Sequence, residues 1–204
     1  MSFGSDPFFG LLWGANKTSV KERVFLSRLL PNTGTWFDGQ YYPPSTGNAV
    51  YRMYRGLVPA FNLDGIDFDA ADFGFRKDGW IGVFHKLWFV RLDMFFAQRL
   101  WNPARAGGRL IGKKALKRMQ EALEEEADEV SERLCERLCA RYGTYTEYEM
   151  GGKYWVLDDS LVELFVYAIE FLDEDDRSEG TPNIVVVASA KDDKAQRPRF
   201  RALE

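Results

Sequence analysis

His85 is the single histidine among the 204 residues, and strand-forming side chains flank it in Val-Phe-His-Lys-Leu-Trp-Phe. A Ser/His/Asp or Cys/His site needs a histidine placed as base. One histidine set among apolar neighbours reads instead as a strand side chain. The two cysteines, Cys135 and Cys139, stand four apart in RLCERLCARYG. That spacing puts both on one face of a helix, where disulfide geometry is poor. With no second cysteine pair and no further histidine, they do not read as a zinc site. Two free thiols in a reducing compartment are expected. Carboxylates offer the remaining acid–base chemistry. Asp158-Asp159, and Asp67 with Asp69, have the residue types a hydrolase or lyase uses, although adjacent carboxylates at strand ends commonly mark turns. The acidic run EALEEEADE reads as the solvated face of a helix. Gly10 and Gly14 ahead of Lys17 lack the glycine density and the adjacent Lys-Ser/Thr of a phosphate loop. No metal and no cofactor are expected.

Polymer partners leave weaker marks. YRMYRG and RPRF interleave arginine with aromatics, as single-stranded nucleic-acid platforms do. The patches are isolated and the chain carries a net charge of −4, which gives no general attraction to phosphate backbones. The aromatic content is the positive signal. Sixteen Phe, nine Tyr and six Trp exceed what one core needs, so some should line a surface. Trp36, Tyr41 and Tyr42 stand close together around Asp38-Gly39 and before Pro43-Pro44, and such residues dominate protein interfaces. A second candidate surface is the sheet face carrying Phe89, Arg91 and Asp93. It is open if the opposite face, with Trp88, Val90 and Leu92, meets a helix.

The elements that position these residues follow from periodicity. Phe8 to Trp13 reads as a short strand. It feeds a helix that starts with a Ser19/Glu22 capping box and stops at Pro31. NAVYRMYRGLV fits helix and strand spacing alike. Alternation predicts an antiparallel meander from about Ile66 to Phe96, with Trp88, Val90, Leu92, Met94 and Phe96 on one face and Arg91 and Asp93 on the other. A loop at 102–108 follows. From Lys113 to Tyr142, the residues Leu116, Met119, Leu123, Ala127, Val130, Leu134 and Leu138 keep one apolar helical stripe, and Gly143 is a natural stop. A hairpin around Met150-Gly151-Gly152 comes next. SLVELFVYAIEFL carries a Ser160/Glu163 capping pattern, yet its β-branched and aromatic content favours a strand. PNIVVVASA reads as its partner strand, with DEDDRSEGT as the loop between them. Residues 191–204 read as a polar tail.

The order is helix, strands, long helix, strands. It predicts one α+β domain over residues 1–190, a largely antiparallel sheet packed against the long helix and a shorter N-terminal one. Its two halves cover roughly 8–100 and 110–190. LLWGANKTSVKERV, and LCARYG followed by KYWVLDDSLVELFV, resemble the opening and the second half of bacterial tandem α-β-β-β proteins. This is the build of beta-lactamase inhibitory protein and of the small lipoprotein of outer-membrane assembly. The chain lacks their signal peptide, lipidation cysteine and disulfide pair. What the resemblance implies is a sheet used to bind another protein, without catalysis. No apolar run approaches a membrane span, and no signal peptide is read at the N-terminus. The expectation is therefore a soluble, cytoplasmic, protein-binding protein of the inhibitor, immunity or adaptor kind. The alternative is a small hydrolase or lyase with a carboxylate-based site.

Overall fold

The computed structural model describes residues 4–26, 35–39, 51–78, 83–96, 113–148, 151–171 and 179–191. Its centre is one strongly curled antiparallel sheet. The strands are β1 (Thr35–Gly39), β2 (Tyr51–Leu63), β3 (Ile66–Asp78), β4 (Val83–Phe95), β5 (Thr146–Glu147), β6 (Lys153–Val156), β7 (Ser160–Phe171) and β8 (Glu179–Ala190). They lie in the order β1-β2-β3-β4-β8-β7-β6-β5. Each half of the chain is thus a four-stranded meander, one strand more than the α-β-β-β layout predicts. The halves join where β4 pairs with β8, from Phe89↔Ser189 to Phe95↔Asn183.

Among the described residues, two helical segments accompany the sheet. A short helix α1 (Lys17–Val20) runs directly into a π-helical stretch at Lys21–Leu26. The long helix α2 spans Lys113–Tyr142, the predicted bounds. From Leu123 to Leu138 its predicted stripe meets the sheet, while Met119 is only half-buried. Leu123, Ala127, Val130, Leu134 and Leu138 are buried with Val90, Leu92 and Met94 of β4 and with Ile184, Val186 and Ala188 of β8. Phe73 of β3, Val162 and Leu164 of β7, and Leu11, Trp13 and Val20 of the N-terminal segment belong to the same core. Gly143 ends the helix at φ 89°, its N–H donating to the Cys139 carbonyl at 2.8 Å. Only glycine adopts that conformation without strain.

The ambiguous segments resolved through their neighbours. YRMYRGLV is the first part of β2, between β1 and β3. SLVELFVYAIEF is β7, paired with β8 from Ser160↔Ala190 to Phe171↔Glu179. The Ser160/Glu163 pair that imitates a helix cap is used across the sheet instead. Ser160 Oγ accepts from Trp13 Nε1 at 2.9 Å, and Glu163 Oε1 accepts from the Tyr148 hydroxyl at 2.6 Å.

The N-terminus differs from the expected strand. Residues 7–9 form a turn, and the segment's one bridge is Ser5↔Leu12. The Asp6 carboxylate organises this turn, accepting from the amides of Phe8, Phe9 and Leu11 at 2.9, 2.8 and 2.6 Å. Such local bonds compete with strand pairing. The segment fastens two distant parts of the sheet. Gly14 N–H donates to Leu87 O, Leu87 N–H donates to Ala15 O, and Trp13 reaches Ser160. The helix that follows is capped by Asn16 rather than by Ser19, the Asn16 side chain accepting from Ser19 N. Asparagine is among the best N-caps.

Trp88 also departs from its predicted face. The β3–β4 register shifts between Gly74↔Phe89 and Phe75↔Leu87, leaving Trp88 as the extra residue. A bulge of this kind breaks simple alternation, so Leu87 joins the core and Trp88 is half-buried between two apolar clusters. Pro31, the loop at 102–108, residues 172–178 and the tail beyond Lys191 lie outside the described residues.

Candidate functional site

The sheet face away from α2 carries three buried carboxylates. Pairing places Asp72 opposite Arg91, and Arg91 opposite Val187, which faces Glu163. Asp72, Asp93 and Glu163 are all buried. Charged groups withdrawn from water need close partners. Arg91 supplies one, its Nε donating to Asp93 Oδ1 at 2.9 Å with Nη2 on the same oxygen. Tyr148 supplies another at Glu163, and its ring stacks on Phe165 with centroids 5.7 Å apart.

Toward the far end of β7 this face opens. Tyr167 is 40 % exposed. Its hydroxyl oxygen accepts from Arg91 Nη2 at 2.8 Å and from Asn183 Nδ2 at 2.9 Å. The set Asp93, Arg91, Tyr167 and Asn183 therefore ties β4, β8 and β7 together. It holds an aromatic ring at the surface in one orientation. Val166, next along β7 and on the opposite face, is 44 % exposed.

The sequence-predicted residues divide on this geometry. Arg91 and Asp93 do share the face opposite α2, and they hold Tyr167 in place. The expected openness of that face does not extend to Asp93, which is fully buried beneath the Arg91 guanidinium. Nor does it extend to Phe89, which is buried against Val185 and Val187. Phe89 lies across Gly74, where an added Cβ would stand 1.9 Å from its Cε1. A glycine opposite an aromatic lets the ring cover the neighbouring strand. Phe165 repeats the arrangement over Gly152, with 2.4 Å to the corresponding Cβ.

Trp36 sits in β1, in register with Tyr54, and β2, β3, β4 and β8 all lie between it and β7. Five interstrand steps amount to about 24 Å along the sheet, so Trp36 and Tyr167 belong to different regions. Tyr41 and Tyr42 lie outside the described residues. Sequence reasoning missed Tyr167 as a site residue. Its signal was present, since in strand alternation it shares a face with Glu163 and lies beside the apolar Val166.

Three of the four carboxylates considered for acid–base chemistry, Asp67, Asp69 and Asp159, are engaged in local structure. Asp67 accepts from Asn62 Nδ2 at 2.8 Å, Asp69 from the Phe95 amide at 2.7 Å, and Asp159 from Ser160 Oγ at 3.0 Å. Among the described residues no group of three or more His, Cys, Asp or Glu side chains is placed to hold a metal ion. Cys135 and Cys139 are free thiols on the sheet side of α2. Burial pushes the Cys135 thiol up, against the pull of the Lys153 ammonium. Among the described residues no helix is long and apolar enough to cross a membrane.

Comparison of the chain with protein-family models, with curated proteins and with solved structures returns no match in any of the three.

Proposed function

We propose that the protein is a non-enzymatic, protein-binding protein of the inhibitor, immunity or adaptor kind, acting in the cytoplasm of a bacterium. Its recognition surface, in this reading, is the open end of the sheet face around Tyr167. The observation that carries the proposal is the fixed, exposed Tyr167 ring. Ordering a mobile side chain on binding costs roughly 0.5–1.5 kcal/mol. Two donors on its oxygen meet much of that cost in the free protein. Tyrosine is a frequent interface anchor, and polar groups such as the Arg91 guanidinium border many such anchors.

The carboxylate-based hydrolase or lyase is the weaker reading, because Asp67, Asp69 and Asp159 each hold a turn or a strand end. The test is Tyr167→Ala in the full chain, with Trp36→Ala as a second variant for the β1 region. Each is used as bait in host extract beside the wild type. Tyr167→Ala removes a 40 % exposed ring and the oxygen that Arg91 and Asn183 donate to, so it is expected to cost about 1–2 kcal/mol of stability and to leave the protein folded at assay temperature. It is expected to weaken partner capture by an amount equivalent to about 2 kcal/mol. Undiminished capture by Tyr167→Ala would overturn this placement. Loss with Trp36→Ala alone would move the surface to β1.

A further inference from the structure

On its sheet side, α2 sets two thiols beside a cation. Cys135 is buried and Cys139 half-buried, one turn apart on the same face, and both are free thiols. Across from them lies β6. Lys153 and Trp155 alternate onto one side of that strand, the side on which Trp155 joins the core with α2. The half-buried Lys153 ammonium stands close enough to Cys135 to pull on its thiol, and it lies 5.2 Å from the centre of the Tyr145 ring. Glu147 of β5 is its cross-strand partner. Even so, among the described residues no carboxylate forms an ion pair with Lys153. A cation drawn partly out of water with no anion beside it is costly unless something else supplies the charge.

Helix spacing decides what the two thiols can do. Side chains at i and i+4 have Cβ atoms about 5–6 Å apart, whereas a disulfide needs about 3.5–4.5 Å. The gap disfavours a direct sulfur–sulfur bond but leaves room for one ion between the sulfurs. Zinc takes four ligands, and calcium and magnesium take oxygen. Thiolate sulfur selects soft cations, cuprous copper among them, and a monovalent ion with a filled d shell is satisfied by two sulfurs in line. We propose that Cys135 and Cys139 are the two ligands of a monovalent copper site, with the Lys153 ammonium as its counter-ion. Binding breaks two S–H bonds, forms two S–Cu bonds and releases two protons to solvent, and the copper keeps its oxidation state. Two thiolates on one cuprous ion carry one negative charge. Lys153 then gains the anion that the free thiols do not give it. The half-buried Cys139 is the point of entry. The site lies on the α2 side of the sheet, the opposite face from Tyr167.

The experiment is an anaerobic titration of the full chain with cuprous ion, supplied as its acetonitrile complex, against a competing chromophoric cuprous chelator. X-ray absorption at the copper edge identifies and counts the neighbouring atoms. The wild type is expected to withhold one copper per chain from the chelator, with two sulfur neighbours. Cys135→Ser and Cys139→Ser should each surrender it. Lys153→Gln keeps both sulfurs and removes the charge, so copper affinity should fall about tenfold, as it does when a group supporting a metal's ligands is lost. Far-UV circular dichroism matched to the wild type shows that the variants are folded. Zinc, titrated against a zinc-binding dye, should not be withheld. A wild type that yields all its copper to the chelator overturns the proposal. So does copper retained by either serine variant, a third sulfur or a nitrogen neighbour, unchanged affinity in Lys153→Gln, or zinc held as firmly as copper. Partner capture enters none of these outcomes, so the copper site and the Tyr167 surface stand or fall separately.

Discussion

At the scale of single residues, two contacts make sharp expectations. The Phe89 ring occupies the space a side chain at Gly74 would need. Gly74→Ala should therefore destabilise the protein by about 1–3 kcal/mol through overpacking. Gly74→Ala combined with Phe89→Leu should be less damaging than the sum of the two, because the smaller side chain vacates the contested space. Additive melting shifts would show that the two positions do not compete. Tyr148 gives a pH dependence. Burial first, and then the neighbouring Glu163 carboxylate, push its phenol well above the ordinary range. The fold therefore favours the protonated phenol over the unfolded chain, where it ionises near pH ~10. That stabilisation is complete below pH ~10 and is lost progressively above it. The melting temperature of the wild type should exceed that of Tyr148→Phe at neutral pH, and the gap should narrow as pH climbs past ~10. A constant gap across that range would place the phenol in water.

At the scale of elements, α2 and β7 show how far local pattern reaches. The helix was legible from its stripe, and Val130 lies at the centre of it, buried against the sheet. Val130→Asp should cost several kcal/mol, since it would bury an uncompensated carboxylate. Thermal denaturation of this variant at neutral pH measures the effect, and an unchanged melting temperature would mean that the stripe faces solvent. β7 carried two patterns at once, a capping pair suited to a helix and a β-branched, aromatic composition suited to a strand. The strand prevails because β8 offers pairing along its whole length, and because Trp13 and Tyr148 give Ser160 and Glu163 better uses than capping. In the N-terminal segment the balance goes the other way. Three amides bonded to the Asp6 carboxylate hold a turn where apolar composition suggested a strand.

At the scale of the whole molecule, the junction of β4 with β8 makes one sheet of two meanders, and the main apolar core draws residues from both. The N-terminal strap adds a further tie through Trp13 and Ser160. Unfolding should therefore be a single transition, with tryptophan fluorescence and far-UV circular dichroism coincident. Two separated transitions would mean that residues 8–100 and 110–190 fold independently. Trp13→Phe keeps the apolar ring and loses the indole donor, so it should lower the stability of that one transition by about 1 kcal/mol.

The sequence by itself determined the long helix, the meander, the β7–β8 hairpin and the division of β4 into two faces. Each of these follows from the spacing of apolar residues over one or two turns or strand lengths. It also named Arg91 and Asp93, because alternation sets them opposite Val90 and Leu92. Tertiary structure alone decided which polar face stays open. Asp93 is closed off by Arg91 of its own strand, and Phe89 by Val185 and Val187 of β8 and by the close approach to Gly74 of β3. Tyr167 stays 40 % exposed beyond the end of β6, which pairs with β7 only as far as Leu164 and reaches Phe165 through Gly152. Pairing length between strands distant in sequence is a non-local quantity, and no window of local periodicity contains it.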